Sequence, residues 1–338
     1  MTDSSAVAWR TKAHLENVLK VSLHEKTRVS SLDIKGKTVT LENGQTVPYD
    51  ALVLATGGTP RWLPVEGAKK GQLGNVFTLR QVEDTAAIVG ALGDKADKDV
   101  VVIGSSFIGC EAAIAIAGQK KAKSVSVVGM EKEPFERVLG LKVGAGMREA
   151  QEKNNNIKFY MESGVSKLEG SSKVEKVIIK DSSGKEVELK ADVVILGVGV
   201  APATEYLKST EGFPELQKDG SVEVDNQLRV KGVPSDANVF AIGDIATYPT
   251  RDGKGSARIE HWSVAGNHGR AVGKQLAGES GNGFDKLPLF WSALGSQLRY
   301  VSDGNGPGFD DVYIDGNPVE QKFVAYYHKG DTVTAVAR

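Results

Sequence analysis

Val100-Val101-Val102-Ile103, followed by Gly104-Ser105-Ser106-Phe107-Ile108-Gly109, is the stretch on which the reading of this chain turns. Four consecutive β-branched apolar residues leave neither face to water, so the run reads as a strand covered on both sides, as strands of parallel sheets are. The turn that stops it opens an apolar helix, Ile108 to Gly118, and Ser124-Val125-Ser126-Val127-Val128 supplies the return strand. The three pieces have the length of a strand–helix–strand unit with a parallel crossover. In that context a glycine turn reads as a dinucleotide fingerprint: Gly104 permits the tight turn, Gly109 lets helix and strand approach, and Ser106 and Ile108 stand at the helix start. Ser106 replaces the middle glycine that lets backbone approach a pyrophosphate, and offers a small hydroxyl donor instead. Glu131 lies 22 residues past Gly109, near the spacing of about 20 for an acid on the ribose hydroxyls. The strand itself stops at Val128, so Gly129 is the first position beyond it and NADH and NADPH both stay open. A plain strand–turn–helix corner is the competing reading of the same residues.

Working outward, three more apolar runs end in glycine turns: Ala51-Leu52-Val53-Leu54-Ala55 before Thr56-Gly57-Gly58, Val193-Val194-Ile195-Leu196 before Gly197 to Pro202, and Asn238-Val239-Phe240-Ala241-Ile242 before Gly243-Asp244. Ligands of open parallel sheets bind beyond the carboxyl ends of strands, which makes these turns candidate contacts. Asp244 offers a carboxylate to sugar-like hydroxyls, or else simply caps a helix. Thr38 to Leu41 and Gln45 to Val47 flank Asn43-Gly44 as a hairpin. A helix is expected from Gly140 to Asn154, and Val174 to Lys180 with Glu186 to Leu189 reads as a β-meander.

The 338 residues carry 42 basic and 43 acidic side chains, a net charge of −1, with 40% hydrophobic and 25% charged residues. That balance suits two globular domains or slightly more, and disfavours disorder and nucleic-acid binding by charge. Lys120-Lys121-Ala122-Lys123 is a local basic cluster that reads as a solvated helix end. No run is apolar for long enough to span a membrane. Cys110 is the sole cysteine, so a CxxC pair, a cysteine-rich metal site and an all-protein iron–sulfur cluster are excluded, and no metal ligands are assigned. Redox chemistry must come from a bound cofactor, and Cys110 reads as a packed residue. Met1 to Arg10 shows neither a signal core nor a transit pattern, so a cytoplasmic location is expected, with mitochondrial association as the alternative.

The ordered motifs resemble the FAD- and NAD(P)-dependent pyridine nucleotide oxidoreductases, in particular their apoptosis-inducing factor 3-like and ferredoxin-reductase-like branch. The resemblance rests on Tyr49 to Gly57, Val125 to Val128 with Glu133 to Gly140, Gly199 to Pro202, Gly243-Asp244, Glu260-His261-Trp262, Pro288-Leu289-Phe290-Trp291 and Lys322 to Tyr327. It implies an α/β fold with two Rossmann-like FAD/NAD(P)-binding domains, the FAD domain incomplete, plus a partial C-terminal α+β domain. Residues 1–77 and 205–283 would form the discontinuous FAD domain, 78–204 the NAD(P) domain, and 284–338 a partial dimerisation-like domain. The family's opening strand and glycine-rich loop have no counterpart in these 338 residues, so a chain shortened at its N-terminus is expected, with weak FAD binding.

Residue by residue, the resemblance implies that Asp244, beside Gly243, binds the FAD ribityl chain and that the Thr56-Gly57 turn packs on the flavin nucleotide. Phe107 would lie between flavin and nicotinamide, and His261 and Trp291 would flank the other side; Glu111 resembles the acid that pairs with a lysine beside the flavin ring, a lysine belonging to the N-terminal part that has no counterpart here. Glu260 and Trp262, in the same motif as His261, would be cofactor-binding, and Gly199 would contact the nicotinamide nucleotide. Phe107 as core, Glu111 as a first-turn acid and His261 as a structural histidine are the plain alternatives. The implied activity is a flavoprotein oxidoreductase that passes hydride from NAD(P)H to FAD and electrons to an external acceptor, a small iron–sulfur protein or a quinone. A homodimer and a non-catalytic, apoptosis-inducing-factor-like interaction protein are further implications of the likeness.

Overall fold

A computed structural model of the chain describes residues 8–279, 283–305 and 308–338. Residues 1–7, on which the reading of the amino terminus largely falls, lie outside the described residues, as do 280–282 beside the expected boundary at Phe284. The chain divides into two compact units: Met1–Gly57, Pro202–Pro249 and Ala265–Phe284 in one, and Gly58–Ala201, Thr250–Val264 and Asp285–Arg338 in the other.

In the second unit Val100 to Ile103 lie in the strand Asp99–Ile103, buried at every position. It is the centre of a five-stranded parallel sheet in the order Val76–Thr78, Val193–Leu196, Asp99–Ile103, Ser124–Val128, Lys158–Tyr160. Strands enclosed on both faces need no polar alternation, which is why Val100 to Val102 and Val193 to Ile195 are each at most 1% exposed. The helix Phe107–Gly118 packs chiefly on Ser124–Val128 and Asp99–Ile103. It is apolar almost all round because it is buried almost all round, through Cys110, Ala112, Ala113, Ile114 and Ile116.

The next helix, Glu136–Asn155, begins earlier than expected and is kinked where Gly140 takes φ 71° and ψ 173°. A Cβ at Gly140 would stand 2.8 Å from the Phe309 ring, so glycine is required there by both backbone and neighbour. The expected meander is an antiparallel sheet of Gly164–Glu169, Lys176–Lys180 and Glu186–Lys190.

The carboxyl-terminal residues form a five-stranded antiparallel sheet in the order Leu289–Ala293, Gln297–Ser302, Thr332–Ala337, Lys322–Lys329, Asp311–Asn317. This sheet is not a separate body from the parallel one. Leu294, Leu298, Val312, Ala325 and Tyr327 share a core with Val102, Ala113, Leu139 and Met147. Two long-range hydrogen bonds seal the contact: the buried Tyr327 hydroxyl donates to Leu139 O at 3.0 Å, and Gln151 Nε2 to Leu294 O at 3.1 Å. The boundaries expected at 77/78 and 283/284 therefore differ from the observed partition. Val76–Thr78 is a strand of the parallel sheet that the first boundary cuts, and residues 285–338 fold onto the unit they were separated from.

In the first unit Leu52–Leu54 pairs in parallel with Val239–Ala241. A continuous apolar run such as Ala51 to Ala55 reads as a strand covered on both faces. With one partner strand among the described residues, Leu52 and Val53 are half-buried and only Leu54 is fully enclosed. The hairpin at Asn43-Gly44 joins Thr38–Leu41 to Thr46–Pro48, with Gly44 at φ 84°. Among the described residues no helix is long and apolar enough to cross a membrane.

Candidate functional site

In the second unit the glycine turn is built on three glycine backbones pressed together. Gly104 has φ 111°, and a Cβ on it would lie 2.2 Å from Gly197 O; one on Gly109 would lie 2.1 Å from Gly104 O, and one on Gly197 2.7 Å from Gly109 Cα. No side chain is tolerated at such distances, so the turn, the helix start and the end of Val193–Leu196 hold one another through bare backbone. Ser106 is the residue before the helix; its side chain makes no capping bond and is exposed, while its carbonyl accepts from Cys110 N at 3.0 Å. The first backbone N–H groups of Phe107 and Ile108 follow it, the arrangement that favours a phosphate.

Glu131, just past Ser124–Val128, is placed by two contacts. Ser105 Oγ donates to its Oε2 at 3.0 Å, and Arg137 Nη2 lies 3.2 Å from its Oε1. Gly129 makes room for this, since a Cβ there would stand 2.4 Å from Ser105 Oγ. Gly199, at φ 89°, accepts from Arg61 N at 3.0 Å through its carbonyl. These residues fit a dinucleotide: a Cβ-free turn, a helix start and a carboxylate beyond the neighbouring strand.

The helix that begins at Phe107 also forms one wall of a cleft of about 580 Å³, and the cleft brings together Phe107, Glu111, Glu260, His261 and Trp291. Phe290, absent from the sequence-based candidates, lies at their centre. Its ring is 5.1 Å from Phe107, 5.3 Å from His261 and 4.9 Å from Tyr300, while His261 and Trp291 meet edge to face at 5.3 Å. Phe107 is thereby pinned between Phe290 and Phe135, the latter at 5.0 Å. The His261 ring is oriented by Ser263, whose backbone N–H donates to Nδ1 at 3.1 Å. Glu260 pairs with Arg258, which the sequence reading did not single out. Trp262 is 62% exposed and is not part of the cleft lining.

The Glu111 carboxylate accepts from Ser292 Oγ at 2.5 Å and Ala293 N at 3.1 Å. Ser292 is 2% exposed, so this anchor is sheltered from competing water. Ser292 carried no signal in sequence and Phe290 appeared only within the Pro288 to Trp291 motif: their partners are remote along the chain, and only pairing of Leu289–Ala293 with Gln297–Ser302 aims them. Cys110, next in the helix, is buried, and burial pushes its thiol well above the ordinary range.

In the first unit Thr56 Oγ1 donates to Ala203 O at 2.8 Å and Gly57 has φ 68°, forming the turn after Leu52–Leu54. Gly243, also at φ 68°, and Asp244 follow Val239–Ala241 in a single 3-10 turn, Gly243–Ile245. Asp244 thus sits inside a short turn and is not the cap of a helix. Two parallel strands ending side by side, with glycine at both ends and a carboxylate beyond one, fit a flavin nucleotide's sugar hydroxyls.

A family model described as pyridine nucleotide-disulphide oxidoreductase matches residues 4–269. Apoptosis-inducing factor 3 of Homo sapiens is 37% identical over 316 residues, covering 92% of this chain and 48% of that relative. The chain therefore spans about half the length of that relative. Among solved structures, a ferredoxin reductase from Rhodopseudomonas palustris superposes with a TM-score of 0.86 at 28% identity, over 99% of this chain and 77% of that one. A covalent putidaredoxin reductase–putidaredoxin complex gives the same score and identity over 99% and 76%.

Proposed function

The chain belongs to the pyridine nucleotide-disulphide oxidoreductase family, and from that premise we propose that it is an FAD-dependent NAD(P)H oxidoreductase whose electrons leave for an external acceptor, an iron–sulfur protein before a quinone. The observation that carries this is the cleft in which Phe107, Glu111, His261 and Trp291 converge beside a glycine turn fit for a dinucleotide. FAD and NAD(P)H supply the hydride transfer and the onward electrons when bound.

What the chain's residues contribute is orientation and polarity. Phe107 offers an aromatic face held by two neighbouring rings, Phe135 and Phe290. Glu111 presents a carboxylate whose Oε1 is already anchored, so it does not have to be ordered at the moment of reaction. Disulfide chemistry is not available to Cys110, a single buried thiol. The acceptor class is supported by the likeness to a ferredoxin reductase and to a reductase in complex with putidaredoxin. Exposed apolar side chains on the antiparallel sheet, Leu289, Tyr313, Tyr326 and Val333, support a homodimer as the assembly.

The test is addition of FAD to the purified chain, followed by anaerobic NADH, with the visible flavin band as readout. Uptake of FAD and bleaching of the band by NADH, with recovery when an oxidised ferredoxin is added, is the expected result. A band that forms and is not bleached would overturn the reading.

A further inference from the structure

From the geometry behind the Gly243-Asp244 turn, we infer that His268 is a positioning residue: its ring holds the backbone of that turn and through it aims the Asp244 carboxylate. The inference rests on the reading of Asp244 as an FAD ligand and adds a residue to it.

The parallel ladder between Leu52–Leu54 and Val239–Ala241 ends with Ile242 N donating to Leu54 O at 3.0 Å. Gly243 is the first residue beyond the ladder, at a positive φ, and its buried N–H has no strand to pair with. A buried N–H without an acceptor is costly, so something must replace the ladder there. The replacement is His268 Nδ1, at 3.1 Å. Ala265, one helical turn before His268 in Trp262–Leu276, closes the other side: a Cβ on Gly243 would lie 3.3 Å from the Ala265 Cβ. The helix therefore bears on the turn at two points, one steric and one a directed hydrogen bond.

The choice of residue argues for the bond over packing alone. His268 is 0% exposed and lies edge-on to Phe284 at 4.3 Å and Tyr248 at 4.8 Å, surroundings that an aliphatic side chain would fill. Because Nδ1 accepts, the ring is neutral with its proton on Nε2. That Nε2 has no partner among the described residues, and neither has the Tyr248 hydroxyl. A buried donor left without an acceptor is a penalty a leucine would not carry. The bond to Gly243 is what the imidazole provides in exchange.

His268→Leu and His268→Asn separate the two roles, since leucine fills the space without an acceptor and asparagine restores an acceptor near Nδ1 while packing worse. Two readouts are taken on the purified chain: amide exchange across Ile242 to Ala246, and FAD affinity by flavin fluorescence. His268→Leu is expected to lose protection of the turn and to weaken FAD binding about tenfold, and His268→Asn to recover most of both despite lower thermal stability. Leucine binding FAD as tightly as wild type, with the turn still protected, would overturn the inference, as would asparagine performing worse than leucine in both readouts. A wild-type chain that takes up no FAD would remove the reading of Asp244 itself, and exchange at Gly243 would then decide alone whether His268 holds the turn.

Discussion

Ser105 Oγ donates to Glu131 Oε2 at 3.0 Å, tying the glycine turn after one strand to the carboxylate after the next. On the proposal that Glu131 meets the ribose of a nicotinamide nucleotide, its carboxylate is the acceptor offered to the ribose hydroxyls, held by Ser105 on one oxygen and by Arg137 on the other. A carboxylate there accepts from a ribose diol and repels a phosphate. NADH is therefore expected to be preferred to NADPH, and Glu131→Ala to narrow the preference about tenfold in kcat/KM. Steady-state kinetics with both coenzymes check this; an unchanged ratio would remove Glu131 from the site.

The glycine contacts make a steeper prediction. Gly109→Ala places a methyl group 2.1 Å from Gly104 O, and no flexible side chain can yield to relieve it. The substitution should cost about 2–4 kcal/mol, within the range of severe packing errors. Urea denaturation of the variant measures it, and a midpoint equal to wild type would show that the turn is looser than these distances describe.

Cys110 is buried with its thiol pushed up, so it is expected to be inert in the folded chain. A thiol reagent at mild alkaline pH should label it only after denaturant is added. Cys110→Ala should keep the NADH-dependent reduction of an acceptor within about twofold, since no thiol chemistry is involved. Rapid native labelling, or loss of turnover in the variant, would return the thiol to the mechanism.

Acid should destabilise the first unit through His268. Burial lowers its pKa from 6.5 to about 4. The unfolded chain therefore binds a proton at a pH where the folded chain does not. Stability from this group is complete above pH 6.5 and falls as the pH drops towards about 4, by up to about 3 kcal/mol. The facing phenol of Tyr248, raised to about 12, stays neutral throughout and does not contribute. Denaturation midpoints at pH 7 and pH 5 should differ for wild type, and the difference should shrink in His268→Leu.

Much of this was legible in the sequence where physics is local. Val100 to Ile103 and Val193 to Leu196 are runs that only a strand enclosed on both faces tolerates, and each is such a strand. The glycine turn was legible because its geometry admits nothing else. The half-burial of Leu52 was not, since a run of apolar residues says nothing about how many strands will cover it. Nor was the lodging of Glu111 against Ser292, or the place of Phe290 among the rings, because both depend on which antiparallel sheet docks on which helix. Val76–Thr78 is likewise too short to announce a sheet, and a core shared across residues 102, 139 and 327 leaves no mark in composition.

The order of the antiparallel sheet sets a schedule for the cleft. Thr332–Ala337 occupies the middle of that sheet, between the hairpin that carries Phe290 and Trp291 and the strands Lys322–Lys329 and Asp311–Asn317. During synthesis the parallel sheet and its glycine turn emerge well before that central strand, while the hairpin has nothing to dock against on one side. The ribosome thus makes a nucleotide-shaped turn first and its aromatic wall later, joined by the insertion of a single strand. Until that insertion, Phe290 and Trp291 are apolar side chains on an unfinished sheet edge, where a growing chain is most vulnerable to capture by the wrong neighbour.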